Sequence, residues 1–201
     1  MILEHLGKRP RIGRDVQIAP NAVICGDVDI GDGTAVLFGA VITAEGGPIR
    51  VGRGCVIMEN AVLRATAHHP LDIGDHVMVG PHAYASGCTV AENVFLAAGS
   101  RVFNGARLGA GAEVRINAVV HIRTAIEPRS VVPIGWIAVG DPAKILPPDQ
   151  HDAIWSVQRT LDFPKYVFGL DRPRDDGSIM PAAMSRYARA LARHRDDRAL
   201  S

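Results

Sequence analysis

The sequence predicts a mainly β fold: a left-handed parallel β-helix of hexapeptide repeats with a C-terminal α-helix and tail. Three observations carry this. An aliphatic residue recurs at every sixth position, a small or β-branched residue follows it four places later, and Gly or Asp/Asn pairs fall just behind the aliphatic position. Such spacing is neither the period of a helix nor plain strand alternation.

The register opens with Ile12, Ile18, Ile24, Ile30, Val36 and Ile42, accompanied by Val16, Ala22, Val28, Thr34, Ala40 and Gly46. It breaks at Gly47 and Pro48, resumes at Val51, Ile57 and Leu63, and breaks again over residues 68–72. From Ile73 it passes through Val79 and Ala85, loses one residue near Thr89, and runs on from Val90 to Val132. Each hexad supplies one short strand and one corner, so three hexads close a triangular coil. Stacked coils bury a core that no single repeat buries alone. Pairs such as Gly31-Asp32, Gly74-Asp75 and Glu92-Asn93 suit the turning backbone. A sandwich or barrel also gives frequent turn signals, but strands of irregular length would not hold one period over about 120 residues.

The coil is expected over 1–146. Gly140-Asp141-Pro142-Ala143-Lys144 then leaves the repeat, and Pro147-Pro148 stiffens the exit. A helix packing on the coil is expected within 147–169, capped by Asp149 or Asp152, with Ile154, Val157 and Leu161 on one face. The segment 170–201 reads as a charged tail: a loop over 170–178, a second short helix starting at Pro181 with Met184, Tyr187, Ala188 and Leu191, and frayed residues over 193–201.

With 201 residues, 47% of them hydrophobic, the chain has material for one main domain plus an appendage. Lys and Arg number 22 against 21 Asp and Glu, a net charge of +1. No global positive excess exists to neutralise nucleic-acid phosphates or an anionic bilayer, so neither partner is expected. The first eleven residues lack a continuous apolar signal core, and no window approaches the ~20 apolar residues of a membrane span; a cytoplasmic location is expected. Cys25, Cys55 and Cys88 match neither a zinc ribbon nor a CxxC pair and read as free, buried thiols.

With the register fixed, several segments resemble the γ-class carbonic anhydrase-like branch of the hexapeptide-repeat superfamily, across roughly residues 12–161. They are Ala40-Val41-Ile42, Pro48-Ile49-Arg50-Val51-Gly52, Glu59-Asn60-Ala61-Val62, Ile73-Gly74-Asp75, Gly87-Cys88-Thr89 and Val139-Gly140-Asp141-Pro142-Ala143-Lys144. The resemblance implies a homotrimer and an active site between subunits, where three histidines from two subunits hold zinc. Those three positions fall here on Arg64, Pro81 and Ser86. A catalytic zinc needs about three protein ligands with lone pairs, and neither a proline ring nor a guanidinium supplies one. No metal and no cofactor are therefore expected in the protein, and carbon dioxide hydration of the usual kind is not expected either. The family's Arg-Gly-Asp segment is also replaced, by Thr43-Ala44-Glu45, and its Gln-Asp pair by Met58-Glu59.

The candidate substrate-binding residues are Arg64, Glu45 and Ser86. Arg64 stands where a dication would sit: it can receive a small anion in bidentate fashion, or fill the hole through a salt bridge to Glu45 or Glu59. The candidate catalytic residues are His68 and His69, in the loop after Arg64, and His82, beside a lost ligand. A histidine pair meeting across a subunit boundary is one arrangement; adjacent residues facing opposite ways and an exposed His-His-Pro loop are the other. Three functions follow: a metal-free relative that binds or transforms a small anionic molecule at a subunit interface, a CoA-dependent acyltransferase using His68, His69 or His121 as base, or a non-catalytic scaffold.

Overall fold

The structure, a computed structural model, describes residues 1–173 and 177–200. Residues 174–176 of the expected charged loop, and Ser201, lie outside the described residues. Consecutive short strands pass to three different sheets in turn: Val23–Cys25 to the first, Val28–Ile30 to the second, Ala35–Val36 to the third, and Val41–Glu45 back to the first. This is the triangular coil that the six-residue period predicts, and about eight turns of it stack into a left-handed parallel β-helix.

The register is that of the aliphatic repeat. Ile24, Ile42, Leu63, Ala85, Val102, Val120 and Ala138 pair one above the next on the first sheet. Ile12, Ile30, Val51, Ile73, Val90, Leu108 and Ile126 do so on the second. Ile18, Val36, Ile57, Val79, Leu96, Val114 and Val132 complete the third. Apart from Ile12 and Ile18 in the opening turn, all of these are buried, and the small corner residues Ala22, Ala40, Ala61, Ala83, Ala106, Ala112 and Ala118 are buried with them. One continuous apolar column therefore holds the coil together, each rung adding the transfer free energy of a buried aliphatic side chain, about 1.5–3 kcal/mol.

Departures from 18 residues per turn mark where the coil is modified. The turn from Ile42 to Leu63 takes 21 residues, that from Leu63 to Ala85 takes 22, and that from Ala85 to Val102 takes 17. The missing residue falls at the corner between Ala85 and Val90. The extra residues of the 22-residue turn form a small hairpin, in which Thr66 and His69 exchange backbone hydrogen bonds of 3.0 Å each. Gly87 admits this hairpin: its φ is +52°, and a Cβ there would come within 2.4 Å of the His69 Cβ.

At the far end, Lys144–Leu146 turns back antiparallel onto Ile137–Val139 after a cis Asp141-Pro142 bond. The single helix expected next is two: α1 over His151–Gln158 and α2 over Phe163–Phe168, separated by Asp162 in the left-handed region. The N-cap of α1 is Gln150, with no side-chain cap from Asp149 or Asp152, and Ile154 is its buried anchor.

The tail departs most from expectation. Helix α3, Met180–Leu191, buries Ala183 and half-buries Tyr187 and Leu191 on one face, while Met184 and Ala188 are exposed. The chain then continues through a short 3-10 turn, and Arg198–Leu200 pairs antiparallel with Ile2–Glu4 at the start of the first sheet. Residues 193–200 are thus anchored rather than frayed. Three backbone pairings and the side chains of Asp197 and His194 hold them, and no sequence period announces such non-local contacts.

Candidate functional site

On the first sheet, strands Val41–Glu45, Val62–Thr66 and Tyr84–Ser86 lie side by side. Ile42, Leu63, Ala65 and Ala85 point into the coil, so the alternate residues Thr43, Arg64 and Ser86, which are register partners, project from the opposite face. Arg64 and Ser86, two of the three family positions, are therefore neighbours in space. Pro81 stands at the preceding corner, five residues before Ser86.

Arg64 is not free. Its Nη2 donates to Glu45 Oε2 at 2.5 Å, and its guanidinium lies 5.2 Å from the centre of the Tyr187 ring of α3. Glu45 is the register partner of Thr66, two residues beyond Arg64, a diagonal that long side chains span on a sheet face. Of the two carboxylates expected from the sequence, Glu45 makes the pair. Only 21% of the Arg64 side chain and 17% of the Glu45 side chain are exposed. Burial works to lower the Arg64 pKa, but the hydrogen bond and charge of Glu45, with Tyr187, outweigh it and leave the guanidinium above its ordinary value. Arg64 Nε is buried with no acceptor among the described residues.

The histidines do not converge within the protomer. His82 occupies a left-handed corner position, with its backbone N–H donating to the Glu59 carbonyl at 2.9 Å, and its side chain is exposed. His68 and His69 lie past the other end of the neighbouring strand, in the hairpin. His68 is exposed; His69 is half-buried, its ring centre 4.8 Å from that of Tyr166 in α2. Ser86 is buried, and among the described residues no histidine hydrogen-bonds to it. His121 is half-buried with Nδ1 unpartnered, and burial pushes its pKa down.

A second cluster escaped the sequence reading, because its members come from three distant segments and share no spacing. Asp197 in the tail pairs through Oδ1 with His5 Nδ1 at 2.5 Å and through Oδ2 with His194 Nδ1 at 2.8 Å, and the Cys25 thiol donates to the same Oδ2 at 3.5 Å. The His5 and His194 rings stack with centres 4.2 Å apart. Burial, with the Asp197 charge adding to it, pushes the Cys25 thiol up to about 12.

The zinc implied by the family resemblance does not fit the residues at its position. A cationic guanidinium already bound to a carboxylate and a proline ring offer no lone pair to a metal.

Residues 9–44 match the family model described as bacterial transferase hexapeptide (six repeats). The carbonic anhydrase of Geobacillus kaustophilus is 31% identical over 159 residues, covering 79% of this chain and 84% of that protein. The chain belongs to the γ-carbonic anhydrase-like hexapeptide-repeat family. Among other relatives, the mitochondrial gamma carbonic anhydrase 2 of Arabidopsis thaliana is 31% identical over 151 residues, 72% of this chain. The chain spans about half the length of that relative, 52%. A crystal structure of a hexapeptide transferase family protein from Anaplasma phagocytophilum shares the fold, with a TM-score of 0.52 and 23% identity over 96% of this chain and 97% of that one. Among the described residues, no helix is long and apolar enough to cross a membrane.

Proposed function

We propose that this protein is a γ-carbonic anhydrase-like homotrimer with no metal at the family's zinc position, that does not hydrate carbon dioxide there and instead holds a small anionic molecule at that point, at a subunit boundary. The observation that supports the reading is the Arg64 guanidinium held by Glu45 and capped by Tyr187, at the position that the resemblance gives to a zinc ligand. A fixed guanidinium supplies positive charge without generating hydroxide, so it binds anions but does not activate water. Ser86, the register partner of Arg64, lies beside it.

Support for a trimer comes from one corner of the coil. Phe38, Pro81, Ile116 and Ile134 each stand two residues past a third-sheet core residue, in one column that also holds Glu59 and Ala98, and Phe38, Ile116 and Ile134 are 57%, 45% and 65% exposed. An apolar ridge of this kind marks a contact surface, and burying it against another protomer would carry Pro81 toward a neighbour's Arg64 and Ser86.

The test is calorimetric titration of the purified protein with bicarbonate and with formate, alongside stopped-flow carbon dioxide hydration and light scattering. The reading expects hydration at the uncatalysed rate, a trimer, and anion binding that is lost in Arg64→Ala and strengthened in Glu45→Gln, where the competing carboxylate is gone. Catalysed hydration, or anion binding indifferent to both substitutions, would reject it. A trimer that binds neither anion and loses assembly in Arg64→Ala would make this a scaffold. A thermal shift with acetyl-CoA would redirect the search to His68, His69 or His121 as transferase bases.

A further inference from the structure

We propose that His5, Cys25, His194 and Asp197 form a structural site for a divalent transition metal, with zinc as the ion their chemistry suits, that fastens the C-terminal tail across the first turns of the coil. The ligand atoms of these four residues, two ring nitrogens, one sulfur and one carboxylate oxygen, all lie within 4.8 Å of one another. His5 and Cys25 are 3% and 2% exposed. Two imidazoles, a thiolate and a carboxylate are the donors zinc takes, and four protein ligands make a closed, structural centre rather than a catalytic one.

The backbone brings these donors together for reasons independent of any metal. Cys25 ends the strand Val23–Cys25 and is the register partner of Leu3. His5 follows the strand Ile2–Glu4 and enters a tight turn in which it exchanges backbone hydrogen bonds with Lys8, which sets its side chain beside that of Cys25. Gly26, with φ +86°, leaves room there, since a Cβ would lie 2.9 Å from the Ala44 carbonyl oxygen and 3.4 Å from the His5 Cβ. His194 and Asp197 arrive from the tail at i and i+3, just before Arg198 begins the strand that pairs with Ile2–Glu4. The edges of a tetrahedral zinc centre with ordinary bond lengths are about 3.3–3.7 Å. The two His–Asp separations of 2.5 and 2.8 Å would open by about 0.5–1 Å on binding, and the 3.5 Å thiol contact is already of that length.

On binding, Cys25 loses its thiol proton to solvent and ligates as thiolate, while each histidine ligates through a neutral ring nitrogen. No redox step is involved. The sequence reading expected no metal. Cys25 lies in the same row of the first sheet as Arg64, two strands away with Thr43 between them, but the four donors use none of the family's zinc positions; loss of metal in Cys25→Ser and His194→Ala, against loss of anion binding in Arg64→Ala, keeps the two readings distinguishable.

The experiment is metal analysis of the full chain after incubation with equimolar zinc and gel filtration, with cobalt(II) substitution as the spectroscopic probe. One ion per chain is expected. Cobalt should give an intense tetrahedral d–d band together with a thiolate-to-cobalt charge-transfer band. Cys25→Ser should abolish the charge-transfer band, and His194→Ala, a change in the tail that leaves the coil core intact, should weaken binding by at least about tenfold. A variant lacking His68, His69 and His82 should bind normally. Absence of bound metal in the wild-type chain, a cobalt spectrum without the thiolate band, metal retained by both Cys25→Ser and His194→Ala, or metal lost from the triple-histidine variant would each overturn the proposal and leave the four residues as a hydrogen-bonded clasp.

Discussion

Truncating Arg64 to Ala should destabilise the protein by about 2 kcal/mol, and the size of the effect follows from its surroundings. The change strands the Glu45 carboxylate on a surface that α3 covers, and removes the cation from over the Tyr187 ring. Breaking a fully buried pair by removing one partner costs about 3–5 kcal/mol, whereas fully exposed pairs are worth about 0–1 kcal/mol. With roughly a fifth of each side chain in solvent, the loss belongs between these limits, near 1.5–3 kcal/mol by interpolation of the two. The assay is a double-mutant cycle of Arg64→Ala, Glu45→Gln and the double variant, read by urea denaturation. Neutralising Glu45 in the Arg64→Ala background should recover part of the loss, giving a coupling of about 1–2 kcal/mol. Coupling below about 0.5 kcal/mol, within the range of independent sites, would show that the pair does not fill the pocket energetically, and the reasoning from geometry would fail.

Two further outcomes follow from the coil itself. Leu63→Ala removes a fully buried side chain stacked between Ile42 and Ala85, and should cost about 3–5 kcal/mol and lower the melting temperature by about 6–15 °C; a loss under about 1 kcal/mol would mean that the column is not tightly packed. Asp32 and Asp75 are held below the usual carboxylate range by hydrogen bonds from the Arg14 and Arg53 backbone and guanidinium groups. Their folded-state pKa values lie below the unfolded ones, so their contribution is present above about pH 4 and is lost as pH falls through the folded values. Midpoints of urea unfolding should fall below about pH 4, and Asp32→Asn with Asp75→Asn should flatten that limb; an unchanged profile would contradict the assignment.

The coil was legible because its information is local and repeated. Each aliphatic residue from Ile12 to Val132 sits over the one predicted to lie beneath it, and the interruptions at Gly47 and at residues 68–72 appear as longer turns. The same register made the Arg64–Glu45 pair readable, since a diagonal on one sheet face follows from strand alignment alone. Choosing Glu45 over Glu59 needed coordinates, because rotamers and not spacing decide which carboxylate meets the guanidinium. The tail was illegible for the opposite reason. Its antiparallel strand and the Asp197 clasp depend on contacts some 190 residues apart, His5 with Asp197 among them, and such contacts leave no trace in local periodicity. Within one protomer a turn of the coil places His68 and His69 at the opposite end of the first sheet's strands from His82; the sequence offered them only as a pair across a subunit boundary.

The most direct measurement of the central claim is an anomalous difference map at the zinc edge, from crystals of the assembled protein grown with zinc. The account predicts no peak between Arg64, Ser86 and the Pro81 contributed across a subunit boundary, with the Arg64 guanidinium in density against Glu45. A peak at that point, or Arg64 swung away to leave an open pocket lined by histidines, would contradict it.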